Sequence, residues 1–293
     1  MRAYLQRVPA LQDADPATAV RLGGLTNRNY RIGDLVVRIP GDGTAEYIDR
    51  AAEDVAARSA AVADVNAPVV FFDPVDGLMV TKFLPGAATM DALGFARDLG
   101  AVARAGQVLR RLHTTAAPFA TDFRLFAMID EYRTLLAGKG ARLPDGYAVL
   151  VGRAEDTRRA LEAAAVPLVP SHCDPLCENF LDLGDRMYLV DYEYAGNNDP
   201  MWDLADLSVE GGFTAVQDEV LLRAYFVGAP ADADLGRMVA LKAMCDLLWT
   251  LWGVIQHVNG NPAEDFWAYA VGRFERCKAL MMSPGYAGSL AAV

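Results

Sequence analysis

The chain contains little cysteine and little histidine. Its 293 residues include four Cys and three His. Cys173 and Cys177 flank Asp174, and no His stands at ligand spacing beside Cys245 and Cys277. This distribution argues against a zinc site. Scattered cysteines are typical of a reduced compartment rather than of a disulfide framework, so we expect a cytoplasmic protein.

Positive charge is also scarce. The chain carries 27 Lys and Arg against 38 Asp and Glu, which gives a net charge of -11. Such an excess disfavours nucleic acid and anionic membranes as partners and favours a cationic one. Basic residues are nevertheless concentrated between Arg21 and Arg38, where four Arg accompany a single acid, Asp34. This island is compatible with a local anion site or with a solvated strand face.

The sequence shows no clear signal peptide or membrane span. The N-terminal segment 1–7 is followed by acidic residues, and no signal peptide is visible. The most apolar stretch, 238–256, carries Lys242 and Asp246. Charged residues inside such a stretch favour a buried helix over a membrane span, so we expect no membrane insertion.

Strand signals dominate the first third of the chain and helix signals the remainder. Segments 29–32 and 35–39 flank a Gly33-Asp34 turn, which predicts a β-hairpin. Further strands are predicted at 19–22, 69–72, 78–84, 168–171, 180–183 and 187–192. Helices are predicted at 49–63, 89–114, 124–137, 147–165, 202–226, 233–258 and 263–281.

A break at Pro85-Gly86 separates these two regions. We therefore predict an α+β protein with a small antiparallel-sheet lobe over residues 1–84 and a larger, mostly helical lobe over residues 85–293. A cleft between two such lobes is a preferred ligand site.

A polar loop between two predicted strands has the pattern H-x-D-x4-N. It comprises His172, Asp174 and Asn179, and the apolar strand that follows ends on Asp191. A carboxylate at Asp174 can accept the proton of an attacking hydroxyl, while Asn179 and Asp191 can hold metal ions that bridge nucleotide phosphates. The pattern predicts phosphoryl transfer from Mg-ATP, with all three residues catalytic and Mg²⁺ held by Asn179 and Asp191. The alternative is a polar loop before an ordinary strand.

Residues of the first third offer groups for the phosphates. Glycine in the turn 23–27 allows close backbone approach, although an ordinary hairpin turn is an equal alternative. Arg38 can bind phosphate through its guanidinium fork, and Glu53 can hold that guanidinium in place. Taken singly, both are also compatible with a solvated surface. The predicted nucleotide-binding residues of this region are Gly24, Leu25, Thr26, Asn27, Arg38 and Glu53.

Together these motifs resemble the choline/ethanolamine kinase family, which belongs to the aminoglycoside-phosphotransferase-like kinases. The resemblance is carried by Gly23-Gly24-Leu25-Thr26-Asn27, Val36 to Gly41, Ile48 to Arg50 with Glu53, His172 to Asn179, Leu189 to Gly196, Asp199-Pro200 and Trp202 to Ala205. It implies a protein-kinase-like fold, a nucleotide-binding lobe 1–84, and a catalytic and substrate-binding lobe 85–293. It also implies ATP and Mg²⁺ as cofactors and a small-molecule hydroxyl as acceptor.

Single positions refine this resemblance. Arg38 replaces the usual kinase lysine, which matches the choline kinase branch. The adenine is expected against the backbone of Lys82, Phe83 and Leu84. Asp191 is followed by Tyr-Glu instead of Phe-Gly, and the chain has no Ala-Pro-Glu segment, so protein substrates are disfavoured.

The substrate signal lies in the last quarter. Trp249 and Trp252 stand three residues apart, on one face of a predicted helix, and are similar to the family's Trp-x-x-Trp helix. Tyr194, Glu210 and Tyr269 match further positions of the family's amine pocket. Aromatic faces and one carboxylate suit a quaternary ammonium, which has no N–H to donate. A Trp stripe that is simply core is the alternative.

The leading hypothesis is an ATP:choline phosphotransferase that forms phosphocholine. Kinases for another cationic alcohol, such as ethanolamine, an aminoglycoside or thiamine, are the runners-up. A non-catalytic module that binds nucleotide or amine is the third hypothesis. It is disfavoured because Asp174, Asn179 and Asp191 are all present. A small cationic alcohol is the expected partner, and a homodimer is an assembly to be tested.

Overall fold

The computed structural model describes residues 1–23, 27–41 and 48–293. The N-terminal part contains a five-stranded antiparallel sheet in the order β1-β2-β3-β5-β4. Its strands are β1 Val20–Arg21, β2 Arg28–Ile32, β3 Leu35–Ile39, β4 Val69–Asp73 and β5 Leu78–Lys82. The hairpin expected around Gly33-Asp34 is present, with Ile32 paired to Leu35.

The central strand β3 separates apolar from charged side chains. Leu35, Val37 and Ile39 are buried in an apolar cluster that also holds Leu78 of β5. Successive side chains of a strand point to opposite faces. Arg38 therefore lies on the other face, where it is nevertheless buried. The alternation sends this arginine toward the site described below.

Helix α2, Arg50–Val62, covers that second face. Asp49 caps it by accepting hydrogen bonds from the backbone N–H of Ala51 and Ala52. Four alanines on its buried side allow close packing, and two charged residues are buried with them. The buried residues are Arg50, Ala52, Glu53, Ala56, Ala57 and Ala60. Gly77 fits against this helix because its φ is +80° and a Cβ there would lie 2.6 Å from Arg50 Nε.

The remaining chain is mostly helical. A short helix, α1 Arg2–Leu5, precedes the sheet. The other helices are α3 Ala92–Arg97, α4 Leu99–Thr115, α5 Leu125–Gly138, α6 Tyr147–Ala163, α7 Pro200–Glu210, α8 Ala215–Phe226, α9 Asp232–Val258, α10 Phe266–Met281 and α11 Tyr286–Ala292. This composition confirms the α+β fold class.

Two predicted helices are each divided in the structure, so those predictions were wrong in their bounds. The expected helix 89–114 is interrupted at Asp98, whose side chain accepts from Gly100 N–H and caps α4. The expected helix 202–226 ends at Gly211, and α8 begins anew after Thr214, which forms a capping box with Gln217. Local capping groups compete with continuous helix at both points.

Helix α9 is the centre of the helical part. It packs against α5, α6, α7, α10 and α11. Its length and apolar composition would suffice to cross a membrane, but 83% of its most apolar 18-residue stretch is buried within the fold. This agrees with the expectation of a buried helix. Gly253 brings α10 close, since a Cβ there would lie 2.7 Å from Tyr269 Cδ1.

Two small antiparallel sheets support the polar loop. One has the order β6-β8-β9, from Ala88–Thr89, Phe180–Asp182 and Met187–Leu189. The other pairs β7, Val169–Ser171, with β10, Gly196–Asn198. The H-x-D-x4-N loop therefore leaves β7 and enters β8, and Asp191 lies two residues after the end of β9. Strands β6 and β10 were not predicted.

Candidate active site

Asp203 at the start of α7 organises the polar loop. Its carboxylate accepts hydrogen bonds from the backbone N–H of His172 (2.7 Å) and of Cys173 (2.8 Å). It also lies 3.0 Å from His113 Nε2, and Trp202 Nε1–H donates to the Cys173 carbonyl. Burial opposes the charge of Asp203, but these hydrogen bonds hold the pKa of its carboxyl below its ordinary value.

Cys173 and Asp191 have left-handed backbone conformations. Their φ angles are +68° and +73°. Non-glycine residues in this region cost about 1–2 kcal/mol each, and they persist where surrounding contacts determine the backbone. One such contact joins the two segments, because His172 Nε2 lies 2.9 Å from the Val190 carbonyl. The two left-handed residues follow strands β7 and β9, and they set the direction in which the chain carries Asp174 and Asp191 away from these strands.

Asp174 is half-buried among other acids. Desolvation raises its pKa well above the ordinary value, and the charges of Glu210, Glu193 and Asp191 raise it further. Arg273 acts in the opposite direction. The predicted base therefore lies within electrostatic reach of both the predicted metal ligand Asp191 and the predicted amine-pocket acid Glu210.

Asn179 is fixed by the loop itself. Its Nδ2–H donates to the Asp174 carbonyl (3.1 Å), and its own carbonyl accepts from Val190 N–H (3.0 Å). These bonds connect the loop to the segment that delivers Asp191. Amide and carboxylate oxygens from the two segments are the hard donors that Mg²⁺ prefers. The residues present therefore fit the expected ion.

A buried ionic network joins the N-terminal sheet to this site. Arg38 pairs with Glu53, and its Nη1 donates to Asp191 Oδ1 at 2.9 Å. Arg50 Nη1 donates to Glu53 Oε2 at 2.6 Å and lies 3.5 Å from Glu193 Oε2. The expected Arg38–Glu53 pair is thus present, while phosphate binding by Arg38 stays a prediction.

Glu193 is a residue whose role sequence reasoning missed. It lies two residues beyond Asp191, and Asn27 Nδ2–H donates to its carboxylate at 3.3 Å. Burial and the neighbouring Asp191 charge raise the pKa of Glu193 to about 7. The only sequence signal was its place in the Asp191-Tyr192-Glu193 run. Of the predicted turn, Asn27 is buried, whereas Gly24, Leu25 and Thr26 lie outside the described residues.

The segment expected to hold adenine follows β5. The N–H of Lys82 donates to the Pro68 carbonyl, and the N–H of Phe83 donates to the Asp34 carbonyl. The Lys82 side chain forms a surface ion pair with Asp34 (2.8 Å). Adenine recognition at Lys82, Phe83 and Leu84 would therefore use other backbone groups of this segment.

Four predicted aromatic residues form one continuous cluster. Tyr194 lies edge-to-face with Trp249 at a ring-centroid distance of 6.0 Å. Trp249 contacts Trp252 at 6.1 Å, and Trp252 contacts Tyr269 at 5.8 Å. Phe266, which the sequence analysis missed, lies 5.5 Å from Trp252. Trp249 is buried and the other three predicted rings are half-buried.

Glu210 reaches this cluster through an arginine. Arg273 pairs with Glu210, and its Cζ lies 4.9 Å from the centre of the Tyr269 ring. Its Nη1 also lies 3.3 Å from Asp246 Oδ1. The sequence analysis missed Arg273, although its position four residues after Tyr269 on one helix could have indicated it. The structure thus brings all five predicted substrate residues together.

A second pair of polar residues, Asp206 and Cys245, lies one helical turn before Glu210 and Trp249. Asp206 precedes Glu210 by four residues on α7, and Cys245 precedes Trp249 by four on α9. Cys245 Sγ–H donates to Asp206 Oδ1 at 2.8 Å, and burial raises the pKa of Asp206 well above its ordinary value. Among the described residues, Asp206, Glu210 and Cys245 are the group with metal-ligand proximity. The Arg273 guanidinium pairs with Glu210 in this group.

The two-lobed fold, with the predicted base Asp174 beside the predicted metal ligands Asn179 and Asp191, has the arrangement expected of a phosphotransferase. The chain belongs to the phosphotransferase enzyme family, whose model matches residues 18–241. A choline/ethanolamine kinase family protein from Mesorhizobium loti is similar in structure. It has 54% sequence identity, a TM-score of 0.94, and coverage of 99% of this chain and 97% of that one.

Two LicA proteins are more distant relatives. The choline kinase LicA from Streptococcus pneumoniae is 25% identical, with a TM-score of 0.79 over 94% of this chain and 96% of that one. Protein LicA from Haemophilus influenzae is 26% identical over 275 residues, 89% of this chain and 78% of LicA. These similarities confirm the predicted family resemblance, the two-lobed kinase-like fold and an ATP-dependent phosphotransferase that acts on a small alcohol.

Proposed function

We propose that this enzyme transfers the γ-phosphate of ATP to the hydroxyl of choline and forms phosphocholine. The observation that carries the proposal is the aromatic cluster of Tyr194, Trp249, Trp252 and Tyr269, which is joined to Glu210 and lies near Asp174. Ring faces attract a quaternary ammonium by about 0.5–2 kcal/mol each when they are desolvated. The S. pneumoniae relative, a choline kinase, supports the same substrate.

The electrostatics of Asp174 also favour a cationic substrate. Desolvation raises the pKa of Asp174, and the charges of its acidic neighbours raise it further. A bound ammonium near Glu210 would offset their charge and lower the pKa of Asp174, because opposite charge stabilises a carboxylate. The substrate would thereby help to produce the ionised base that its own hydroxyl requires.

In the proposed reaction, Asp174 orients the choline hydroxyl and accepts its proton as the oxygen forms a bond to the γ-phosphorus. The bond between the γ-phosphorus and the bridging oxygen breaks, and ADP leaves. Asn179 and Asp191 would hold Mg²⁺, which neutralises charge on the phosphates when bound. Arg38, kept in place by Glu53, would contribute further positive charge beside the nucleotide.

The nucleotide would bind between residues 1–84 and residues 85–293, with adenine along 82–84. Residues 24–27 would contribute phosphate-binding groups. Placement of Arg38 beside Asp191 supports this assignment, since one ion pair connects the sheet with the catalytic segment. Four free and buried cysteines support a cytoplasmic location, where thiols stay reduced.

Ethanolamine is the second candidate substrate. The M. loti relative is a choline/ethanolamine kinase family protein, and its high identity covers nearly the whole chain. A primary ammonium has three N–H donors, each of which requires an acceptor when it leaves water. The proposed amine site consists mainly of aromatic rings, which favours choline.

A coupled ADP-release assay on choline, ethanolamine, thiamine and kanamycin tests the proposal. We expect the highest kcat/KM for choline, and phosphorus NMR should identify phosphocholine as the product. A higher kcat/KM for any other alcohol would transfer the assignment to that alcohol. No turnover on the whole panel would contradict the proposal.

A further inference from the structure

The carboxylate of the amine pocket is already bound by a cation of the protein. Arg273 Nη2 pairs with Glu210 Oε1, and the side chains are 5% and 15% exposed. A buried pair of opposite charges carries no net charge. The pocket therefore presents aromatic faces and a largely neutralised acid, rather than a free carboxylate, to an entering substrate.

Three elements fix the position of Arg273. Glu210 ends α7, Asp246 belongs to α9, and the Tyr269 ring lies one turn before Arg273 on α10. Asp246 also accepts from Arg276 Nη2 at 2.7 Å. The guanidinium thus stays on Glu210 because a second acid and a ring hold it there. Asp246 would keep a cationic partner if Arg273 were replaced.

This arrangement treats methylated and primary ammonium groups differently. A primary ammonium that enters the pocket exchanges water for protein acceptors and is penalised for each N–H left without one. Arg273 already donates to an oxygen of Glu210 that could otherwise serve as such an acceptor. A quaternary ammonium has no N–H, so it loses nothing from this competition and retains the attraction of the rings.

We propose that Arg273 sets the preference of the pocket for a methylated over a primary ammonium by occupying Glu210. The inference rests on the proposed function and names a specificity-determining residue for it. Arg273 acts through Glu210 and is therefore a positioning residue. Its removal would free the occupied oxygen of Glu210 and leave the pocket with one more negative charge.

The test compares kcat/KM for choline and for ethanolamine in the wild type and in two Arg273 variants. Arg273→Met removes the charge and the donors, and it should lower the choline-to-ethanolamine ratio by about tenfold, the effect of one regained charged hydrogen bond. The change should appear in the amine KM, with the KM for ATP unaltered. Arg273→Lys keeps a cation beside Glu210 and should restore most of the ratio.

Two further variants keep the test decisive. Arg276→Met removes the other partner of Asp246 and should leave the ratio at its wild-type value. Arg273→Gln is neutral but can still donate to Glu210 or Asp246, so it should shift the ratio in the same direction if the Met variant fails to fold. A folded Met or Gln variant with the wild-type ratio would overturn the inference.

The same measurements separate this inference from the proposed function. A wild type that phosphorylates choline, together with an unchanged ratio in the Arg273 variants, overturns only the role of Arg273. A wild type that prefers ethanolamine, or that phosphorylates neither amine, overturns the proposed function and this inference with it. Equal losses for both amines would assign Arg273 a purely structural role and would also overturn it.

Discussion

The backbone N–H of Cys173 donates a 2.8 Å hydrogen bond to the buried carboxylate of Asp203. Cys173 has a left-handed backbone, and it directly precedes the proposed base Asp174. An acid thirty residues along the chain therefore holds the strained residue that directs the base. The relationship couples the stability of the loop to its catalytic geometry.

Replacement of Asp203 by Asn should weaken both properties. The amide can accept fewer hydrogen bonds and carries no charge, so the two loop N–H groups and His113 lose a shared partner. We expect a loss of about 2–4 kcal/mol in the free energy of unfolding and reduced kcat at temperatures where the variant remains folded. Denaturant unfolding measures this loss, with Asp185→Asn at an exposed position as the control. The control should change the free energy of unfolding little. A change as small in Asp203→Asn would contradict this account.

Replacement of Asp174 by Asn should remove turnover without destabilising the fold. The variant loses the proton-accepting group, which is worth about 10²–10⁴-fold in rate. It also removes one acid from a group of like charges, so its melting temperature should equal or exceed that of the wild type. Glu178→Asn in the same loop is exposed and should retain activity. Turnover of Asp174→Asn within about tenfold of the wild type, ~1.4 kcal/mol, would exclude Asp174 as the base.

Glu53 should contribute far more stability than its neighbour Asp54. Glu53 pairs with two buried arginines, Arg38 and Arg50, whereas Asp54 pairs with the largely exposed Arg58. We expect Glu53→Gln to cost about 3–5 kcal/mol, because it removes the charged partner that two buried cations share. Asp54→Asn should cost at most ~0.5 kcal/mol. Similar urea midpoints for the two variants would show that the buried network does not stabilise the fold.

His172 should make stability depend on pH. Burial lowers its pKa from the ordinary value of 6.5, so the folded protein keeps the ring neutral where the unfolded chain takes up a proton. Its contribution is therefore present above pH 6.5 and is lost as pH falls below that value, at up to ~1.4 kcal/mol per pH unit. His172→Gln should show a smaller loss of unfolding free energy between pH 7.5 and pH 5.5, by about 1 kcal/mol. Exposed His257→Gln is the control, and equal pH dependence in His172→Gln and the wild type would refute the assignment.

Local patterns predicted the parts of the fold that local forces determine. The hairpin around Gly33-Asp34 and the loop from His172 to Asn179 follow from turn chemistry and motif spacing, and both were located correctly. Helix 202–226 was predicted without its break, because the capping box of Thr214 and Gln217 competes with an otherwise apolar helical pattern. Strand β6 has only two residues, Ala88 and Thr89, and is defined by its pairing with β8.

Contacts between distant segments explain what the sequence did not reveal in the site. Aromatic spacing on one helix indicated Trp249 and Trp252, and the family resemblance supplied Glu210. The partner of Glu210 is Arg273, 63 residues away on another helix, and no pattern along the chain marks that pairing. The role of Glu193 likewise depends on burial and on the proximity of Asp191.

The Trp252 side chain gives the most direct test of the choline assignment. Its ring contacts Trp249 and Tyr269 and is half-buried, so its removal should disturb packing less than removal of the buried Trp249. Trp267 is a matched control, because it is also half-buried but contacts His257 and Arg142 instead of this cluster.

The decisive measurement is the KM for choline and for ATP in Trp252→Ala, Trp252→Phe and Trp267→Ala. The account predicts a choline KM about five- to thirtyfold higher in Trp252→Ala, equivalent to ~1–2 kcal/mol of cation–π attraction. Trp252→Phe should be intermediate, Trp267→Ala should be near the wild type, and the KM for ATP should be unchanged throughout. A folded Trp252→Ala variant with the wild-type KM for choline would contradict the aromatic pocket and, with it, the assignment of choline as substrate.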